Sequence, residues 1–169
     1  ENYHYGNHFF WEENFKSKFV NQFKGKFNFS NKYLEFNPEI KLTSIKNYIY
    51  FNESKLPVQH KNMLYYYNYI FSFKLNFLKN HLHFHNNMIY ILVSGNESNK
   101  ILRMPKYNYY GKIYYTDTWF DNKIPIELGV NLYYRSSYYG NAYNPIIQQF
   151  HIQNHFKLKS YFVSNVYFN

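Results

Sequence analysis

Three histidines stand at alternate positions and could bind a metal ion together. His81, His83 and His85 share one face of an extended strand, because strand side chains alternate between two faces. Imidazole nitrogens are common metal ligands, so the three could share an ion if a neighbouring strand supplied another ligand. The competing interpretation is a polar lining, which needs no ion. We favour the lining and predict no metal site and no cofactor.

Two serines are the next candidates for chemistry. Ser136 and Ser137 could suggest a hydrolase, because a serine activated by a histidine is a common nucleophile. Such an enzyme also needs a sharp turn at the nucleophile and an ordered base and acid. The spacing of the residues identifies none of these. The sequence therefore predicts that the protein is not an enzyme.

The chain is basic, with 19 Lys and Arg against 10 Asp and Glu and a formal net charge of +9. Lys16, Lys18, Lys24 and Lys26 fall on one face of a predicted strand whose other face carries phenylalanines. Proteins that bind single-stranded nucleic acid combine cations and aromatic rings on the same surface. The separation of the two sets predicts no nucleic-acid partner. A basic, β-rich protein that binds RNA in an organellar ribosome remains the soluble alternative.

Long strands must position these side chains, and alternation of apolar and polar residues predicts them. The clearest runs are Phe15 to Phe29, Met63 to Phe77 and Ile124 to Arg135. Weaker alternation predicts further strands over residues 39–51, 81–92, 107–115, 146–158 and 161–169. The total is about eight strands, several of them as long as the 9 to 11 residues that a tilted strand needs to cross a bilayer.

The predicted connections alternate between short and long. The short ones are Ser30 to Lys32, Phe77 to Asn80, Asp121 to Lys123 and Leu158 to Ser160. The long ones are Asn52 to His60, Ser94 to Pro105 and Tyr139 to Pro145. Outer-membrane barrels have tight turns on the periplasmic side and longer loops outside. We therefore predict an all-β fold, an antiparallel up-and-down transmembrane β-barrel, over a soluble sheet with one wet face.

The two faces of a strand that spans a membrane meet different surroundings, lipid on one side and the barrel lumen on the other. Leu128, Val130 and Leu132 are expected to contact lipid, because a charge against hydrocarbon is costly. The opposite face, and that of the first predicted strand, is expected to line the lumen. Its predicted residues are Lys16, Lys18, Lys24, Lys26, Glu127, Asn131 and Arg135. Four lysines on one wall would raise the local anion concentration and give a weak anion preference.

One loop carries a specific signature. Tyr138, Tyr139, Asn141, Tyr143, Asn144 and Pro145, with the QQF and QN that follow, resemble the signature of the putative porin family of Bacteroidetes-type bacteria. The stretches FWEENFK, NYIYFN, LRMP and ELGV agree with that family in the same order. The resemblance implies an outer-membrane β-barrel whose members extend further at both ends. Residues 1–169 are thus expected to form a single, C-proximal barrel segment that is incomplete at both ends.

The resulting hypothesis is a bacterial outer-membrane, porin-like barrel that supports passive diffusion of small solutes. Its expected partners are outer-membrane lipid, small solutes and other outer-membrane proteins. A structural or binding barrel without conductance is the second alternative, beside the soluble RNA-binding protein. Strand number decides between filled and open barrels, because eight strands leave a lumen filled by side chains and sixteen or more leave a channel.

Overall fold

The fold is known from a computed structural model, which describes residues 3–5, 9–11, 13–120 and 124–169. Sixteen strands, one short α-helix and one 3₁₀ turn make up its elements. In chain order the strands are β1 Tyr3–Tyr5, β2 Phe9–Trp11, β3 Phe19–Lys26, β4 Phe29–Ser30, β5 Leu34–Lys46, β6 Tyr48–Phe51, β7 Pro57–His60, β8 Leu64–Phe77, β9 Leu82–Ser94, β10 Tyr107–Trp119, β11 Ile124–Arg135, β12 Tyr138–Tyr139, β13 Ala142–Asn144, β14 Gln149–His151, β15 Lys157–Leu158 and β16 Tyr161–Phe168. The 3₁₀ turn is Leu78–Asn80 and helix α1 is Ser98–Ile101.

An eight-stranded antiparallel sheet forms the body of the structure. Its order is β16-β11-β10-β9-β8-β5-β3, with the short β4 paired to β5. Sequence neighbours are therefore spatial neighbours, as in an up-and-down meander. Over the described residues the sheet stays open, with β16 and β3 at its edges. The all-β, antiparallel prediction is confirmed. No helix in the described part of the chain has the length and hydrophobicity to span a membrane.

Strand register brings the apolar positions of all these strands onto one face of the sheet. Phe84 lies opposite Leu75 on one side and Ile113 on the other, and Ile113 continues to Val130 and Val166. Directly opposed residues of antiparallel strands project to the same face. We call this surface the apolar face; it includes Phe23, Leu42, Tyr67, Phe71, Leu75, Phe84, Met88, Ile113, Leu128, Val130, Leu132, Phe162 and Val166.

The other face carries the charged and amide side chains. We call it the polar face; it includes Lys24, Lys26, Glu35, Glu39, Lys41, Asn68, Lys74, His83, His85, Lys112, Glu127, Asn131, Arg135 and Asn165. The same period of two that forms the strands thus separates the sheet into two chemically different surfaces.

Short and long connections lie at opposite ends of the sheet. At one end, residues 27–33 join β3 to β5 and residues 78–81 join β8 to β9, and at the same end β10 finishes at Trp119 and β11 begins at Ile124. The predicted turn Asp121 to Lys123 lies outside the described residues. At the other end, residues 47–63, 95–106 and 136–160 form three long connections, which we call the loop cap.

Three predicted strands differ from the structure. The strand predicted from Phe15 begins at Phe19 instead, because the Gln59 side chain, not β5, binds the backbone of Lys16. The strand predicted over residues 39–51 divides at Asn47 into β5, in the main sheet, and β6, which pairs with β7. The predicted strand over residues 146–158 does not join the main sheet, and β11 pairs with β16 instead. Within that stretch β14 pairs with β13, and β15 pairs with β12. The turn predicted at Leu158 to Ser160 is consequently the last part of the long connection over residues 136–160.

A small apolar core lies where the loop cap meets the end of the main sheet. Leu64, Ile101 and Leu102 are buried together, with Tyr48 and Tyr50 packed against them. Ile147, on the third connection, is also fully buried. Strand β14 adds to the β6–β7 hairpin through the parallel bridge between His151 and Phe51, so the first and third connections share a sheet. The long connections are therefore ordered structures packed against one another.

Candidate functional site

The polar face of the sheet holds most of the predicted lumen residues. Glu127, Asn131 and Arg135 alternate along β11 and project to the polar face, opposite to Leu128, Val130 and Leu132. Lys24 and Lys26, on β3, project to the same face as these three residues. The sheet therefore separates the residues expected in the lumen from those expected in lipid, as alternation requires.

Lys16 and Lys18 differ from that prediction. Both precede β3 and lie beside the loop cap, where the Lys16 amide donates to Gln59 Oε1 at 3.0 Å and the Lys16 carbonyl accepts from Gln59 Nε2 at 2.6 Å. The Ser17 carbonyl between them accepts from Asn47 Nδ2 at 2.9 Å. These contacts fix the segment against the first long connection. The row of four lysines on one strand is therefore reduced to two.

Ion pairs across neighbouring strands occupy much of the polar face. Glu39 lies between Lys24 and Lys41, with N–O distances of 3.2 and 3.0 Å, and Lys74 lies 3.3 Å from Glu35. Six basic side chains and three carboxylates share the face, which leaves an excess of three positive charges. The basic residues are Lys24, Lys26, Lys41, Lys74, Lys112 and Arg135. The positive field is therefore weaker than the lysines alone would produce.

The tightest cluster on this face surrounds Glu127. Its Oε1 accepts from Lys112 Nζ at 2.9 Å and from the Tyr167 hydroxyl at 2.7 Å. The same ammonium group lies 4.3 Å from the ring centroid of Tyr114 and 5.1 Å from that of Tyr167. Hydrogen bonds and cation–π contacts together hold this side-chain group in one arrangement across three strands.

The three histidines have protein partners. His83 Nδ1 lies 2.8 Å from Asn76 Oδ1 and its Nε2 lies 3.1 Å from Thr116 Oγ1. His85 Nε2 lies 3.1 Å from the Tyr114 hydroxyl, and His81 Nδ1 lies 2.9 Å from the Thr116 carbonyl. The described residues contain no group of three side chains placed to hold a metal ion. The histidines are part of the hydrogen-bonded polar face.

Glycine at position 129 makes room for the Glu127 cluster. A Cβ on Gly129 would collide with the Tyr167 hydroxyl and with Cβ of Tyr114. We therefore expect Gly129→Ala to cost about 1 kcal/mol, because a crowded site must shift its neighbours. Thermal unfolding of the full-length protein in detergent measures the loss. Gly25→Ala is the matched control, because its Cβ would approach only side-chain atoms at 3.3 Å or more, a methyl group of Ile40 and the ring of Phe23. Equal losses in the two variants would contradict this account.

Arg103 is a functional-site candidate that sequence reasoning missed. Its Nη1 donates to the Gln153 carbonyl at 3.0 Å, its Nη2 to Asn154 Oδ1 at 2.7 Å, and its Nε to the Lys100 carbonyl at 2.8 Å. Asn154 in turn donates through Nδ2 to Glu53 Oε1. One guanidinium group thus links all three connections of the loop cap. Its only sequence signal was its place in the LRMP stretch.

Arg103 keeps its positive charge in the cap. Burial lowers the pKa of its guanidinium, while Glu53 and Tyr139 act in the opposite direction. Because the ordinary pKa of arginine lies far above neutrality, the group stays protonated. Burial also raises the pKa of the Tyr48 hydroxyl in the cap core. A permanently charged cation, Arg103, therefore lies at the junction of the three connections of the cap.

The loop signature forms part of the same cap. Tyr138 and Tyr139 form β12, and the Tyr139 ring lies 5.6 Å from the Arg103 guanidinium carbon. Asn144 is buried and accepts through Oδ1 from the Ile146 amide at 2.9 Å. Asn141, Tyr143 and Pro145 are exposed, with Tyr143 packed on Phe150 at 5.2 Å between ring centroids. Asn144 is thus held inside the cap, while the exposed members of the signature form part of the cap surface.

Ser136 belongs to the junction between sheet and cap. Its Oγ accepts from the Tyr107 amide at 3.0 Å, and its own amide donates to the Tyr107 carbonyl at 2.9 Å. These bonds extend the pairing of β10 and β11 by one residue beyond Arg135. The Ser136 hydroxyl, considered above as a nucleophile, thus binds the backbone of β10 in this structure.

Comparison with known proteins agrees with this fold. No curated protein matches the chain. One protein family does, and its match extends over residues 1–169, which include the main sheet and the loop cap. Because that match covers the whole sequence, the chain belongs to the putative porin family.

Proposed function

We propose that the chain is part of an outer-membrane β-barrel whose polar face lines a water-filled passage for passive diffusion of small solutes. The observation that carries this proposal is the uncovered apolar face. Phe23 is 63% exposed, Leu128 49% and Val166 75%, and no described element packs over them. Soluble monomers rarely expose so extended an apolar surface, because contact of apolar surface with water is unfavourable. Lipid is a partner that removes it from water.

Strand length and polarity support the same proposal. Strands β5, β8, β9 and β10 contain 13 or 14 residues, enough to cross a bilayer at a tilt. Backbone groups within lipid must all be paired, so the edges β3 and β16 would require further strands to close the barrel. On this proposal the partners are outer-membrane lipid and small solutes, and the protein catalyses no reaction.

Planar-bilayer recording of the full-length protein tests the passage. We expect stable unitary conductance, with a weak anion preference because the polar face has three excess positive charges. A salt gradient across the bilayer gives the reversal potential. Replacing Lys26 by Gln should shift that potential toward cations more than Lys24→Gln does, because Lys24 is already paired with Glu39. Absence of any conductance would replace the porin proposal by a structural or binding barrel.

Orientation follows from the asymmetry of the connections. Short turns face the periplasm in outer-membrane barrels, so the loop cap is expected outside the cell. An epitope tag inserted within Tyr139 to Pro145 should be labelled by antibody on intact cells. A tag within Asp121 to Lys123 should be labelled only after permeabilisation. Labelling of the second tag alone would show that the orientation is reversed.

A further inference from the structure

A cleft lies on the polar face where β9, β10, β11 and β16 meet. Its volume is about 550 Å³, within the range of small-molecule sites. Five tyrosines, three asparagines, one arginine and two aliphatic residues line it, and no described carboxylate does. The tyrosines that project to the polar face are Tyr110, Tyr133 and Tyr161; the amides are those of Asn87, Asn108 and Asn165; the cation is Arg135. We call this the tyrosine cleft.

Strand register builds the cleft from two neighbouring rows. In one row Asn87, Tyr110 and Tyr133 lie directly opposite one another on β9, β10 and β11. In the next row Arg135 lies between Asn108 and Tyr161. The rings of Tyr110 and Tyr133 are 5.0 Å apart between centroids and tilted by 44°, and both are exposed. The cleft thus offers aromatic surface beside amides and a cation.

Two polar atoms of the cleft lack partners among the described residues. They are Asn87 Oδ1, an acceptor, and Arg135 Nε, a donor. The guanidinium carbon of Arg135 lies 5.3 Å from the Tyr138 ring, which holds the side chain in place. A buried polar atom without a hydrogen bond costs about 1 to 3 kcal/mol. A ligand that induces a small side-chain rotation and satisfies both atoms would therefore be favoured.

The two atoms restrict the chemistry of that ligand. An inorganic anion without a proton, such as chloride or sulfate, can accept from Arg135 but cannot donate to Asn87. An apolar solute does neither. A hydroxyl group both donates and accepts, and the C–H faces of a sugar ring carry a partial positive charge that suits the negative face of a tyrosine ring. A carboxylate on the same ring would pair with the guanidinium in a bidentate arrangement.

We propose that the tyrosine cleft binds a pyranose carbohydrate, and that it binds a carboxylated sugar more tightly than a neutral one. The proposal rests on the proposed function, because it takes the polar face to be accessible from water. The tyrosines supply stacking surface, the asparagines bind hydroxyl groups, and Arg135 supplies the preference for a carboxylate. A sugar site in the passage would favour carbohydrates over other small solutes.

Calorimetric titration of the full-length protein with glucuronate and glucose tests this proposal. We expect saturable binding of both, with glucuronate at least about fivefold tighter because of Arg135. Arg135→Gln should abolish that ratio while glucose binding stays within twofold of wild type. Tyr133→Ala should weaken both sugars by at least about tenfold through loss of a stacking ring. Tyr133→Phe, which keeps the ring, should bind like wild type.

Control variants distinguish a loss of sugar binding from a loss of folding. Tyr66→Ala removes a tyrosine from the polar face outside the cleft and should leave both affinities unchanged. If Tyr133→Ala does not fold, Tyr161→Ala removes another cleft ring from an edge strand. Each variant is checked for the compact, heat-sensitive form on gels.

Two results separate this inference from the porin proposal. Conductance without saturable binding of either sugar would overturn the cleft proposal and leave the porin proposal standing. Sugar binding that depends on Tyr133, without conductance, would overturn the porin proposal and support the cleft. Equal affinities in wild type and Tyr133→Ala would also reject the cleft as the binding site.

Discussion

Replacing Val130 by Arg is expected to remove most of the assembled protein from the outer membrane, whereas Asn131→Arg should leave its amount close to wild type. Val130 lies in the middle of β11 on the apolar face, between Ile113 and Val166. A charged side chain on the lipid face of a barrel costs about 2 to 4 kcal/mol near the bilayer midplane. Asn131 projects to the polar face, where water solvates the new charge.

Heat-modifiable mobility on gels measures the folded fraction in isolated membranes. Val130→Leu is the conservative control and should assemble normally, because it keeps an apolar group toward lipid. The two arginine variants add the same side chain at adjacent positions, so general effects of charge cancel between them. Equal loss of assembly in both variants would contradict the assignment of the two faces.

Arg103→Gln is expected to open the loop cap and leave the sheet intact. The guanidinium group makes hydrogen bonds to the Gln153 carbonyl and to Asn154 Oδ1, which a glutamine cannot reproduce together. Hydrogen bonds to a charged donor contribute about 1.5 to 3 kcal/mol each, so the cap should lose roughly 3 kcal/mol of local stability. Glu53, which also accepts from Asn154, would lose a positioned partner.

Protease cleavage of the full-length protein in detergent reports on the opening. We expect cleavage within residues 136–160 to be faster by tenfold or more in Arg103→Gln, since cleavage follows the population of the open form. Lys106→Gln is the matched control: it removes an exposed basic side chain from the same connection. A cap equally resistant in Arg103→Gln and Lys106→Gln would show that Arg103 does not hold the connections together.

Alternation predicted the long strands well. The predicted strand Ile124 to Arg135 has the same bounds as β11, and Met63 to Phe77 differs from β8 by one residue. In both, every second residue is apolar over the entire strand, so only one register buries the apolar set. The separation of Val130 from Asn131 followed directly from this period. Cross-strand ion pairs such as Lys24 with Glu39 could not be predicted, because they depend on which residues become neighbours.

Alternation alone could not distinguish a membrane strand from a packed loop. Residues 146–158 alternate too, yet they form β14 and β15 within the loop cap, where Ile152 is buried while Ile146, Phe150 and Phe156 are exposed. The same period of two thus arises in a short strand of a loop and in a strand of the main sheet. Lys16 and Lys18 precede β3 instead of lying within it, and the sequence did not indicate this because Lys16 binds Gln59, which is 43 residues away. Arg103 depends on partners 50 and 51 residues away.

Cysteine labelling along β11 tests the central assignment most directly, because residues 1–169 contain no cysteine. Single cysteines at positions 127, 128, 130, 131 and 132, in an otherwise cysteine-free full-length protein, are treated in intact outer membranes with a charged, water-soluble thiol reagent. We expect strict alternation: cysteines replacing Glu127 and Asn131 react, and those replacing Leu128, Val130 and Leu132 do not, because lipid covers the apolar face. Equal labelling at both sets of positions would show that water reaches both faces of the sheet, and would contradict the proposed membrane barrel.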